Sequence, residues 1–90
     1  MRMVLVHHIR LPVRGYGGTE RVVVALIRGL AALGHEVILI APPGTKVPEA
    51  RLIAVDAARL TDPRFDLTPL VPGGVDIVHA FFPLRAALAL

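Results

Sequence analysis

Ninety residues suffice for one small domain, and this chain is unusually apolar for that size, with 54% hydrophobic residues and a mean hydropathy of +0.65. It has no cysteine, which excludes disulfides and cysteine-based metal or redox chemistry, and no uninterrupted apolar run reaches the ~18 residues that span a bilayer. Ten basic against seven acidic side chains give a net charge of +3, without the basic stripe, aromatic interleaving or zinc-ligand spacing of a nucleic-acid reader.

The apolar excess suggests part of a larger fold, or a protomer whose apolar faces meet a partner. Arg2 precedes an apolar stretch, but His7, His8 and Arg10 interrupt it and no small-residue cleavage site follows, so a secretory signal is rejected and the cytoplasm is the expected location. Ser, Asn and Gln are absent and nine arginines stand beside one lysine, a composition of heat-adapted or GC-rich sources. Arg2, Arg10, Arg14, Arg21 and Arg28 face only Glu20 in the first third of the chain, a bias that favours an anionic ligand there.

Residues 3–9 read as a buried strand whose near-continuous apolar run is that of a central, doubly covered position. His7 and His8 close it, one reaching the crevice and the other serving the core; they are not an HExxH-type pair, and no metal cluster is visible. Residues 10–20, RLPVRGYGGTE, then bring glycines, a hydroxyl and a carboxylate to a strand-to-helix junction, the place where open α/β sheets keep their ligand crevices. Gly15, Gly17 and Gly18 let a bound group approach the backbone closely, and Thr19 is expected to cap the helix. Residue 22 is valine, so the reciprocal half of a capping box is lacking. Free amides and the positive helix end then make a candidate anion site, with a tight turn that binds nothing as the alternative. The stretch is neither a P-loop nor the dinucleotide fingerprint, because no Gly-Lys-Ser/Thr follows and residue 20 is glutamate.

The helix is expected over residues 20–33, with Val23, Ile27, Leu30 and Ala31 as its apolar stripe, Val22 and Leu26 widening that stripe, and Arg21 and Arg28 on the wetter side. Gly29 costs about 1 kcal/mol against alanine, tolerated if the helix packs closely on the sheet, and Gly34 is a left-handed terminator. Residues 37–41, VILIA, form the second buried strand, making a parallel, right-handed β–α–β unit with the first. Residues 51–55 are an edge strand of open direction, antiparallel included, since residues 45–50 are too few for a helical crossover. Residues 56–74 hold a helical turn at 57–60 and otherwise a long loop suited to movement or to a binding face. A fourth strand covers residues 75–81, with Asp76 as a solvated strand-start residue, and an apolar helix opens at Pro83.

Together, GGTERVVVALIRGLAALGHEVILIAP and the later DIVHAF resemble the amino-terminal Rossmann-like domain of GT-B glycosyltransferases, most closely the retaining family 4 group. The resemblance covers nearly the whole chain. It implies an α/β, Rossmann-like three-layer sandwich with a mostly parallel sheet of about four strands, incomplete in these ninety residues. It implies two such domains in the full enzyme, with acceptor mainly on the first, nucleotide-sugar mainly on the second, and reaction in the cleft. Gly17 and Gly18 match the glycine turn whose amides approach the donor diphosphate, and Thr19 and Glu20 match its helix opening. His79 matches a strand histidine and is the catalytic candidate, although residue 81 is phenylalanine where the family commonly has a second histidine. Arg10, Arg14, Glu20 and His8 are candidate contacts to an anion or acceptor.

The implied co-substrate is a nucleotide-diphosphate-sugar, with a sugar or lipid-linked acceptor, no tightly bound cofactor, no metal and no nucleic acid. The expected full-length form is cytoplasmic and peripheral to the inner membrane. The second domain has no counterpart in these ninety residues, which are therefore expected to be a truncated form without activity of their own. Glu20, Glu36, Asp56, Asp62, Asp66 and Asp76 offer no facing pair, so hydrolysis by two carboxylates has no support. The competing reading is a stand-alone α/β binding or assembly module that dimerises through apolar surfaces.

Overall fold

The computed structural model describes residues 1–11 and 17–81. Along the chain it forms strand β1 (Arg2–Val6), helix α1 (Gly18–Ala32), strands β2 (Glu36–Ala41) and β3 (Arg51–Ala54), helix α2 (Ala57–Leu60), a 3-10 turn (Thr68–Leu70) and strand β4 (Ile77–Ala80). The sheet order is β3-β2-β1-β4, and all three pairings are parallel. Val4, Leu5 and Val6 of β1 and Val37 through Ala41 of β2 are buried, because these two central strands are covered on both faces.

The layers follow from the handedness of parallel connections. The steps from β1 to β2 and from β2 to β3 move the same way along the sheet, whereas the step from β3 to β4 reverses. Crossovers of one hand must therefore lie on opposite faces. On one face Leu5, Val37, Leu39 and Ala41 pack with Val23, Val24 and Ile27 of α1 and with Leu11 and Val47. On the other, Val4, Val6, Ile38 and Ile40 pack with Val55, Leu60 and Leu67. The result is a three-layer α/β sandwich, a partial Rossmann fold.

Several expectations are resolved or corrected. Strand β3 is an edge strand, and its direction, open in the sequence, is parallel to β2. Its four residues pair only with the last four of β2, from Ile38↔Arg51 to Ala41↔Ala54, so the chain returns only about 10 Å and needs no helix to do so. Residues 56–74 are anchored to the sheet: Leu60 and Leu67 are fully buried, and the segment supplies the sandwich's third layer. Strand β1 stops at Val6, short of Ile9, and β4 is limited to Ile77–Ala80.

Helix α1 starts two residues earlier than expected, with Gly17 at the N-cap and no side-chain cap, so Thr19 lies inside the first turn and does not cap it. Its C-terminus behaves as expected: Gly34 takes φ 89° and its N–H donates to Ala31 O at 3.0 Å. Val22 and Leu26 do not widen the buried stripe, being 63% and 40% exposed. Nor does Gly29 serve close packing on the sheet, for a Cβ placed there would meet nothing within 4 Å.

The amino ends of the strands are tied together by Arg2. Its N–H donates to Asp76 Oδ2 at 2.9 Å, Asp76 N–H donates to Arg2 O at 2.8 Å, and its guanidinium binds Glu36 and the Gly73 carbonyl. Asp76 thus belongs to the end of the sheet opposite any crevice at the carboxyl ends.

Candidate functional site

Because the chain runs outward from β1 to β3 and then returns to the other side of β1, the sheet's switch point lies between β1 and β4. Open α/β sheets form their ligand crevice outside the carboxyl ends of the strands at such a point. Here those ends carry His7, immediately after β1, and Phe81, immediately after β4. Phe81 N–H donates to Val6 O at 3.1 Å, and His7 N–H donates to Ile40 O at 3.0 Å, so backbone pairing holds both residues at the strand tips.

His7 is buried and lies on the α1 side of the sheet, continuing the alternation of Met3 and Leu5. Its Nε2 is 3.8 Å from Glu20 Oε1 in the first turn of α1. Its ring stands edge-on to His8 at 5.2 Å and to Phe81 at 6.1 Å between centroids, and Phe81 is in turn edge-on to His79 at 4.6 Å. A line of rings, His8, His7, Phe81 and His79, therefore crosses the switch point, with Glu20 beside it. Burial holds the His7 pKa below its ordinary value, the nearby His8 lowers it further, and Glu20 opposes both. The imidazole is consequently neutral near pH 7.

Helix α1 opens at the same rim. Among the described residues no side chain caps it; its ladder begins with Arg21 N–H on Gly17 O at 2.9 Å, and Gly18 and Thr19 are exposed. The first-turn amides carry the positive end of the helix, which attracts an anion.

Of the residues singled out from sequence, Gly17, Gly18, Thr19 and Glu20 share this helix opening, while His8 and His79 join through His7 and Phe81. Arg10 does not join them. Its side chain lies over Gly44, where a built Cβ would be 3.2 Å from Arg10 Nε, on the β2 side of β1. Arg14 falls outside the described residues, as do Gly15 and the segment opening at Pro83. The crevice and core roles, open between His7 and His8 in the sequence, are separated by face alternation from Leu5, which puts His7 on the α1 side. Phe81, expected at the end of the fourth strand and where the family commonly has a second histidine, links the two strand tips. Among the described residues no group of three or more His, Asp or Glu could hold a metal ion, and no helix is long and apolar enough to cross a membrane.

The family model for Glycosyltransferase Family 4 matches residues 16–90. The chain belongs to glycosyltransferase family 4. Among curated proteins and among solved structures no match is found. Membership implies a sugar-transfer role for the full-length protein, with a nucleotide-diphosphate-sugar as co-substrate. The matched stretch includes the α1 opening and strands β2 to β4, and leaves β1, His7, His8 and Arg10 before it.

Proposed function

We propose that the rim between β1 and β4 is the acceptor-side wall of a sugar-transfer cleft, and that the opening of α1 meets the donor diphosphate there. One observation carries this reading: the sheet's switch point coincides with the opening of α1, whose N-cap residue is Gly17 and so offers no capping side chain. Backbone N–H groups at Gly17, Gly18 and Thr19 face the diphosphate. As the bond from the anomeric carbon to the leaving oxygen breaks, negative charge grows on that diphosphate, and dipoles already fixed by the helix stabilise it without reorganising. His79 contacts the donor sugar or the acceptor, and Glu20 and His8 border the cleft. A second Rossmann-like domain holds most of the nucleotide-sugar, so these ninety residues alone bind without turning over.

Calorimetric titration of uridine, guanosine and adenosine diphosphates into the ninety-residue chain tests this. The expected result is saturable binding of at least one of them, weakened about tenfold (~1.4 kcal/mol) by Gly18→Val, with no multiple turnover in a donor-screening assay. Absence of binding, or equal binding by Gly18→Val, would remove the reading.

A second reading, association of two copies, draws on the outer side of α1, where Val22, Leu26 and Leu33 are 63%, 40% and 76% exposed. A concentration-dependent dimer in sedimentation that Leu26→Glu abolishes would favour it.

A further inference from the structure

The loop that follows β1 and the loop that follows β2 are fastened to one another. Leu11 N–H donates to Thr45 Oγ1 at 3.2 Å, the Thr45 hydroxyl donates to Pro42 O at 2.9 Å, and Lys46 N–H donates to Leu11 O at 2.7 Å. Leu11 is fully buried and Thr45 nearly so, and Leu11 and Val47 both enter the core beneath α1, so the strap is anchored in the core. Gly44 takes φ +88°, and the Arg10 side chain lies across it at a distance that a Cβ would crowd. The strap therefore mounts residues 10 and 46 at adjacent positions on the carboxyl rim.

Both carry exposed cationic side chains, and neither has an ion-pair partner among the described residues. Cationic side chains borne on neighbouring backbone positions repel when they approach one another, and an anion between them relieves that repulsion. An arginine fork offers directional hydrogen bonds and a lysine a compact charge, a combination suited to a phosphate or carboxylate. The mount lies above β1 and β2, on the other side of β1 from the switch point.

We infer that Arg10 and Lys46, mounted on the Leu11–Thr45 strap, form an anion subsite that receives a phosphate or carboxylate group of the acceptor. Thr45 is its positioning residue. The assignment to the acceptor rests on the proposed sugar-transfer reading; the subsite itself does not.

The test is to titrate the isotope-labelled chain with inorganic phosphate and separately with acetate, at constant ionic strength. The signals followed are Arg10 Nε–Hε and the amides of Leu11, Thr45 and Lys46, with the amides of residues 17–20 observed alongside. Saturable shifts in the first group are expected, with phosphate affinity roughly fivefold weaker in Arg10→Gln and in Lys46→Gln, the size of one exposed charge contact. A tighter response to phosphate assigns a phosphate-bearing acceptor, and a tighter response to acetate a carboxylate-bearing one. Thr45→Ser keeps the affinity, while Thr45→Val lowers it with thermal unfolding still cooperative. Should Thr45→Val not fold, the serine and the two glutamine variants decide the matter. No saturable shift at these residues, or unchanged affinity in both glutamine variants, overturns the subsite. Shifts confined to residues 17–20 would overturn it while sparing the sugar-transfer reading.

Discussion

His7 and Glu20 meet where β1 ends and α1 begins, Nε2 to Oε1 at 3.8 Å, with His7 only 1% exposed. This pair joins the tip of the central strand to the opening of α1. It places a carboxylate beside the proposed anion site, and a neutral imidazole next to that carboxylate.

The electrostatics of the pair can be read directly. Glu20 raises the His7 pKa and His8 lowers it. Glu20→Gln should therefore push the His7 midpoint lower still, and His8→Gln should move it up, in imidazole carbon–proton spectra recorded against pH. Movement in the reverse sense for either variant would show that the pair is not arranged as described.

Stability should follow the same group. The folded-state pKa of His7 lies below its ordinary value near 6.5, so in the window between the two the unfolded chain binds a proton that the folded chain refuses. Stability from this source is intact above about pH 6.5 and falls on acidification through that window, by at most about 1.4 kcal/mol per pH unit, the slope of one proton. Denaturant titrations from pH 7.5 downward should show the loss in the native chain and a shallower slope in His7→Gln. Asp62 and Asp66, whose carboxyls are held below their usual range by hydrogen bonds from Arg64 and Thr68, act only at more acidic pH.

The glycines separate cleanly by role. Gly29→Ala should stabilise the fold by about 0.5–1 kcal/mol, since a mid-helix glycine is entropically costly and its Cβ site is open. Gly44→Ala should destabilise it by about 1–2 kcal/mol, because φ +88° is left-handed and the new methyl group crowds Arg10. Opposite signs in paired thermal melts are the expected signature.

Burial sets a further contrast within α1. Ile27 is fully buried in the core cluster that includes Leu5 and Leu39, whereas Leu33 is 76% exposed. Ile27→Ala should cost about 2–5 kcal/mol through lost transfer energy and the cavity left behind. Leu33→Ala should stay within about 0.5 kcal/mol in the same denaturant series.

Much of this was legible in the sequence where local pattern decides the outcome. The apolar runs of β1 and β2, the helix between them and the Gly34 terminator follow from period and turn chemistry, and parallel pairing follows from the crossover. The direction of β3 did not, because the crossover rule assumes strands paired along their full length. The N-cap slipped from Thr19 to Gly17 because cap preference is a weak local bias. Val22 and Leu26 misled because three successive valines leave the phase of the helix ambiguous. The glycine turn and His79 could be picked out by resemblance, but the Thr45 strap gave no signal, as its hydrogen bond to Leu11 spans 34 residues. The line of rings depends on strand register, which sequence does not supply.

The central claim is that the α1 opening receives a diphosphate. Its most direct test is the amide spectrum of the labelled chain titrated with a nucleoside diphosphate. The account predicts saturable movement of Gly17, Gly18, Thr19 and Glu20, accompanied by a shift of the His7 ring signals through its contact with Glu20. Amides of residues 17–20 that stay fixed while the nucleotide reaches saturating concentration would contradict it.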